Sequence, residues 1–200
     1  MLDRIMSNIL KWDMNLKWVY LDIGSYHQIE ESVTYKLYKR GWSGIAVDAS
    51  PATKSLFTEY RPNDKFINAV IGEKHNVYVD FYFLGELNEH SLINTKELTK
   101  SQKRLFPTAQ PTKQRQVNIV KELESLGVEK IDVLNLDVEG AELEILKSFD
   151  FDKYSAAVII VAIHGNNMLK VLKSEVTQFL IEIGYTWCAS TVIIYFFVKK

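Results

Sequence analysis

Short apolar runs along this chain alternate with stretches in which apolar residues recur every three or four positions, so strands and helices are expected in turn. Trp18 to Ile23 (WVYLDI) predicts a buried strand ending at the turn residue Gly24. From Glu30 to Arg40, Val33, Leu37 and Tyr38 share a helical face, with Gly41 as the stop. Gly44 to Val47 predicts a second strand ending at Asp48, and Ser50 with Pro51 supplies a cap and a first-turn proline for a helix reaching about Tyr60. Phe66 to Val70 and Val77 to Phe83 read as further strands. Ile131 to Leu136 is a strand ending at Asp137, after which Gly140 opens a helix carrying Leu143, Leu146 and Phe149. Ala156 to Ile163 predicts a fully buried strand, Leu172 to Ile183 a helix, and Tyr185 to Cys188 with Val192 to Val198 a closing hairpin. The alternation predicts an α/β fold, a mostly parallel sheet with helices on both faces and one antiparallel strand at or near an edge.

With 200 residues, 47% hydrophobic and 24% charged, the chain has the composition of one folded domain. The single Cys188 excludes an intrachain disulfide and reads as a small core side chain. The longest apolar runs are strand-length, too short to span a membrane. Residues 1–17, with Asp3, Arg4, Lys11 and Asp13 among their apolar positions, read as a helical extension rather than a signal peptide, so a cytoplasmic protein is expected with its domain over 18–200. A net charge of −1 argues against a general nucleic-acid partner. Charge is nevertheless segregated: Lys96 to Lys121 holds seven basic residues against one acid, whereas Glu122 to Asp152 holds ten acids against two lysines. The polar, proline-bearing stretch 84–116 predicts a surface lid rather than sheet. Its Lys100, Lys103, Arg104, Lys113 and Arg115 would favour an acceptor bearing phosphate or carboxylate, such as an acidic or nucleotide-linked sugar, against the blander reading of a solvated loop.

The chemistry is carried by the ends of the first two strands, because open parallel sheets bind ligands beyond the carboxyl ends of their strands. In VYLDIGS, Asp22 can meet a ligand's amino group and Gly24 allows close backbone approach. No second glycine follows before Gly41, which counts against a dinucleotide site and a nucleotide-dependent oxidoreductase. Asp48 ends the second strand, where a carboxylate can accept hydrogen bonds from both ribose hydroxyls; the competing reading is a turn acid before Ser50 and Pro51. Together these suggest an adenosyl ligand with an ammonium group and no pyrophosphate, which describes S-adenosyl-L-methionine.

The runs DIGSYHQ (22–28), SVTYKLYKRGWSGIAVDASP (32–51), YRPND (60–64) and IDVLNLDVEGAELEILKSFDF (131–151) resemble the FkbM family of S-adenosylmethionine-dependent methyltransferases over roughly residues 18 to 165. The resemblance implies a class I methyltransferase, Rossmann-like fold with a seven-stranded sheet whose last strand is antiparallel. It implies that Asp22 and Gly24 lie at the methionine end of the cofactor, with Ser25 beside them. Asp48 would hold the ribose, Ala49 and Ser50 would flank the adenine, and Asn68 and Ala69 would lie near the base. It also implies that Asp137 and Glu139 face the methyl group and substrate, and that the activity is O-methylation of a hydroxyl on a sugar or related small molecule. The chain departs from the family in the loop Tyr26 to Gln28 and at Ala162, where members often carry an acid. Those departures keep open a non-catalytic member that binds cofactor or nucleotide.

Methyl transfer to oxygen profits from a base near the hydroxyl, for which His164, at the end of the strand beside the one ending at Asp137, is a candidate. Its alternative is a loop histidine that only orients substrate. Asp137, Glu139 and His164 could instead ligate a divalent ion, but without a dense acid cluster no metal site is assigned. His27 reads as a helix-entry hydrogen bonder and Trp42 as a structural plug between the first two units.

Overall fold

The computed structural model describes residues 17–84, 90–92, 104, 107–108, 110–164 and 167–200. The expected N-terminal extension, apart from Lys17, and most of the expected lid lie outside these residues.

The first half reads β1 (Val19–Ile23), α1 (Tyr35–Lys39), β2 (Ser43–Asp48), α2 (Pro51–Tyr60), β3 (Lys65–Asn68), β4 (Val70–Ile71), β5 (Val77–Leu84) and β6 (His90–Leu92). The second reads β7 (Pro111–Val117), α3 (Ile119–Ser125), β8 (Val133–Leu136), α4 (Glu142–Ser148), β9 (Val158–Ala162), α5 (Met168–Leu172), α6 (Glu175–Glu182), β10 (Tyr185–Ser190) and β11 (Ile194–Lys199). The main sheet has the order β10-β11-β9-β8-β1-β2-β3. Strands β9, β8, β1, β2 and β3 pair in parallel, while β11 runs antiparallel to both β9 and β10.

The central strands are buried on both faces, which is why they are apolar without a break. Along β1, Leu21 and Ile23 join Ile45, Val47, Leu134 and Leu136 on one face, packed under α3, α4 and α6. The alternate residue Tyr20 joins Val133, Ile160 and Phe196 on the other face, with Leu37 of α1 and Trp42. Trp42 is buried and stacks on Trp18 at 5.7 Å, as expected of a plug. Cys188 lies at a register shift in β10 and donates to the Phe196 carbonyl oxygen, a half-buried packing role.

Three expectations differ from the structure. Phe66 to Val70 is not one strand: β3 stays in the main sheet and β4 leaves it, passing into a second sheet of order β4-β7-β5-β6. The stretch 84–116 was expected to be a lid rather than sheet, yet its described parts form β6 and most of β7, which pairs antiparallel with β5 and parallel with β4. Its alternation is weak because β7 buries only Gln114 and Val117. The expected helix from Leu172 to Ile183 is α6 and starts later, where Ser174 caps it by accepting from the Thr177 amide, while Leu172 ends the separate helix α5. Helix α3 was not foreseen, although Asn118 accepts from the Lys121 amide at its start and Ile119 and Leu123 sit one turn apart on its buried face.

Candidate active site

The carboxyl ends of β1, β2 and β8 open onto one side of the sheet. The parallel register places Asp22 beside Ala46 and Asn135, and Ile23 beside Val47 and Leu136. The loops after β1, β2 and β8 therefore meet. Gly24, at φ +78°, donates its amide to the Val47 carbonyl oxygen at 2.9 Å, and Asp137 donates its own to that of Ile23 at 3.0 Å. A Cβ built on Gly24 would lie 1.8 Å from the Asp137 carbonyl oxygen. The glycine is thus required by the approach of the two loops, and an added side chain meets protein backbone rather than ligand space.

Two adjoining cavities lie over this junction. A narrow apolar one is lined by Val47, Asp48, Ala49, Ala69, Ile71, Phe81, Val138 and Ile145, so the second sheet supplies part of its wall. A wider cleft of about 510 Å³ is lined by Asp22, Gly24, Ser25, Tyr26, Glu30, Glu31, Ser32, Val33, Asp48, Asn135, Asp137, Glu139 and Ile193. Asp22, Gly24, Ser25, Asp48, Ala49, Ala69, Asp137 and Glu139 all border one or both. Ser50 is buried at the start of α2 without a side-chain capping bond, so the proline rather than the expected cap marks that helix start. Asn68 is not in either wall: its amide donates to the Asp48 and Ala49 carbonyl oxygens at 2.9 and 3.1 Å, fixing the β2 turn from behind.

Asp22 is buried, and its carboxylate accepts from the Thr34 hydroxyl and, at 2.8 Å, from the Asn135 amide. Burial pushes its pKa up, while Thr34, Arg61 and Asn135 pull the other way. Asp48 accepts from the Ser50 amide at 2.7 Å and the Tyr26 amide at 2.9 Å, so it does serve as a turn acid. Each of its oxygens keeps acceptor capacity toward the cavities that it lines. Burial raises this carboxyl too. Ser25 Oγ and Asn135 Oδ1 are buried without a hydrogen-bond partner among the described residues. Buried polar atoms are normally satisfied, so both call for a partner that the described residues do not supply.

Asp137 is held up at about 6, first by burial and then by the like charges of Glu139 and Glu142, with His164 opposing. His164 Nε2 stands 3.4 Å from Glu139 Oε2, and both side chains are substantially exposed. Glu139 adopts φ +56°, an uncommon conformation for a residue other than glycine and one often found at functional sites. Asp137 and Glu139 thus line the cleft, and His164 stands beside Glu139 without lining either cavity. Among the described residues, no three His, Cys, Asp or Glu side chains gather in a metal-holding cluster. His27 Nδ1 accepts from the Ile29 and Glu30 amides, a structural turn bond as expected.

Sequence reasoning passed over Asn135, Thr34 and Arg61. Asn135 is an amide inside an otherwise apolar buried strand, and that mismatch was a usable signal. Thr34 and Arg61 sit inside motifs that gave no hint that Thr34 bonds Asp22 or that Arg61 bonds Thr34.

A seven-stranded, mostly parallel sheet with an antiparallel β11 and a cleft at its carboxyl edge defines the Rossmann-like fold of the class I methyltransferases. Residues 22–186 match the family model described as the methyltransferase FkbM domain, and the chain belongs to that family. Among solved structures, it is similar to a fibrillarin pre-rRNA processing protein of Methanococcus jannaschii, with 13% identity and a TM-score of 0.52 over 94% of this chain and 69% of that one. At that identity the likeness shows the fold alone. It also matches monomeric WbdD, with 12% identity and a TM-score of 0.47 over 99% of this chain and 40% of that one. No curated protein matches it. No helix among the described residues is long and apolar enough to cross a membrane.

Proposed function

We propose that this protein transfers a methyl group from S-adenosyl-L-methionine to a hydroxyl oxygen of a small molecule, with a sugar or related polyol as the acceptor class. The observation that carries the reading is the convergence of Asp22, Asp48 and the unpartnered Asn135 Oδ1 on one cleft, beside a narrow slot. The donor set fits the cofactor. Asp22 and Asn135 offer acceptors for an ammonium group, the Ser25 hydroxyl is available to a carboxylate, and Asp48 has acceptor capacity left for ribose hydroxyls. Ala49 and Ala69 would flank the adenine, with Phe81 and Ile145 closing the slot; Ser50, expected there, lines neither cavity.

When bound, the cofactor supplies an electrophilic methyl group on a sulfonium. Charge is dispersed in such a displacement, so the chain's main contribution is alignment and exclusion of water. Asp137 or His164 then takes the hydroxyl proton, and Glu139, 3.4 Å from His164 Nε2, orients the imidazole.

Titration calorimetry with S-adenosylhomocysteine tests the donor site. Asp48→Ala should bind at least tenfold more weakly, because each hydrogen bond to a charged acceptor is worth about 1.5 to 3 kcal/mol. Equal affinity in both proteins would remove Asp48 from the site. Binding without turnover on any hydroxyl acceptor would support instead a non-catalytic member of the family.

A further inference from the structure

Beneath the cleft lies a polar network whose centre is Arg61, a fully buried guanidinium at the C-terminal end of α2. Its Nε donates to Asp64 at 2.7 Å, and Nη2 donates to the Tyr20 hydroxyl at 3.0 Å and to Thr34 Oγ1 at 2.9 Å. Its plane lies over Phe57, 4.6 Å from the ring centroid. Surrounding one cation with so many partners is an expensive way to fill space, since burying a charge costs free energy that only good geometry offsets.

The direction of the bonds suggests what it achieves. A guanidinium can only donate, so the Thr34 hydroxyl must accept from Arg61 and send its own proton on to the Asp22 carboxylate. On the other Asp22 oxygen, the Asn135 amide nitrogen must be the donor, which leaves Asn135 Oδ1 without a partner beside the cleft. The Thr34 hydroxyl hydrogen and one Asn135 amide hydrogen are therefore committed to Asp22, and Asp22 with Asn135 Oδ1 presents acceptors to the cleft. That is the surface an ammonium group requires.

We infer that Arg61 and Thr34 are positioning residues for the donor: through the Thr34 hydroxyl they keep Asp22 ionised and oriented, so that Asp22 and Asn135 together receive the ammonium group of the cofactor. The inference rests on the proposed role of Asp22 as an ammonium acceptor. Of the charges around Asp22 among the described residues, Arg61 alone is opposite in sign; Asp48 from β2 and Asp137 after β8 are like charges. Without the Arg61–Thr34 relay, Asp22 would be left in a buried and negatively charged neighbourhood, where protonation is favoured.

The test is S-adenosylhomocysteine binding by calorimetry from pH 5 to 8.5, on the full chain. Thr34→Val keeps the shape and removes the relay. It should move the pH at which binding is lost upward by about one unit, with affinity at pH 8.5 within threefold of wild type, and Thr34→Ser should restore the wild-type profile. Asp22→Asn serves as the reference, since any pH dependence left in it belongs to Asp48 and Asp137, and adding Thr34→Val to it should shift nothing further. A uniform loss at every pH, or an unchanged profile, overturns the inference and leaves Thr34 a packing residue. Arg61→Lys, read in the same way, decides the matter if Thr34→Val lowers the melting temperature too far for calorimetry. If Asp22→Asn binds as wild type does, or if wild type binds at no pH, it is the underlying assignment of the donor site that fails.

Discussion

Asp137 carries the clearest conflict between stability and activity at the scale of a single residue. Its carboxyl is held at about 6, chiefly by burial and secondarily by Glu139 and Glu142. A folded-state pKa above the unfolded value of 3.8 means that its ionisation opposes folding. The cost is complete above about pH 6 and vanishes below about pH 4, where both states are protonated. A shift of roughly two units corresponds to about 3 kcal/mol. Asp137→Asn is accordingly expected to raise stability at pH 8 by up to that amount, with no gain at pH 3.5, in denaturant titrations at the two pH values. If Asp137 takes the acceptor proton, the same substitution abolishes turnover, and the wild-type rate rises with pH toward a plateau above about 6. Glu139→Gln removes a like charge and should move that inflection downward, whereas His164→Ala removes the opposing charge and should move it up.

At the scale of elements, the site depends on how closely three strand ends approach one another. Gly24 makes that approach possible, since its φ of +78° and the Asp137 carbonyl oxygen 1.8 Å from a hypothetical Cβ both exclude a side chain. Left-handed backbone alone costs a residue other than glycine about 1 to 2 kcal/mol. Gly24→Ala should therefore destabilise the fold by at least about 2 kcal/mol in urea unfolding, whether or not S-adenosylhomocysteine is present. A variant of wild-type stability that merely fails to bind would mean that the glycine makes room for ligand instead. The second sheet is the other element-scale feature, because Phe81 of β5 walls the apolar slot and ties that sheet to the proposed adenine position.

For the molecule as a whole, charge is distributed in a way that bears on the acceptor. Asp22, Glu30, Glu31, Asp48, Asp137 and Glu139 line the cleft, and no lysine or arginine appears among its described lining residues. Of the basic segment, Lys113 pairs with Asp80 at 2.8 Å and Arg115 with Glu122 at 2.8 Å, both within or beside the second sheet. Both cations are thus already paired, and Lys96, Lys100 and Lys103 lie outside the described residues. Matched hydroxyl acceptors that differ only in an amine or a carboxylate should separate in Michaelis constant, the amine lower. The gap should narrow at high salt, because exposed charges are screened. The basic-lid expectation requires the opposite order, and a weakened carboxylate acceptor when Lys103 and Arg104 are reversed to Glu.

The sequence by itself determined the alternation of strands and helices, the antiparallel closing hairpin, and the acids ending β1, β2 and β8. Those features are written in local periodicity and in residue types at strand ends, which depend little on distant partners. It did not determine where β3 gives way to β4, because the hydrophobic pattern runs through Ala69 without a break and only the competing sheets decide which one a residue joins. Nor did it reveal β7, whose alternating face is mostly polar and finds its partners in β4 and β5 some 30 to 45 residues earlier. The tertiary structure alone decided that Arg61 bonds Thr34, 27 residues away in the chain, and that Thr34 bonds Asp22. Only packing reveals what surrounds a buried carboxylate, because the cost of burial and its compensation both arise from groups brought together across the fold.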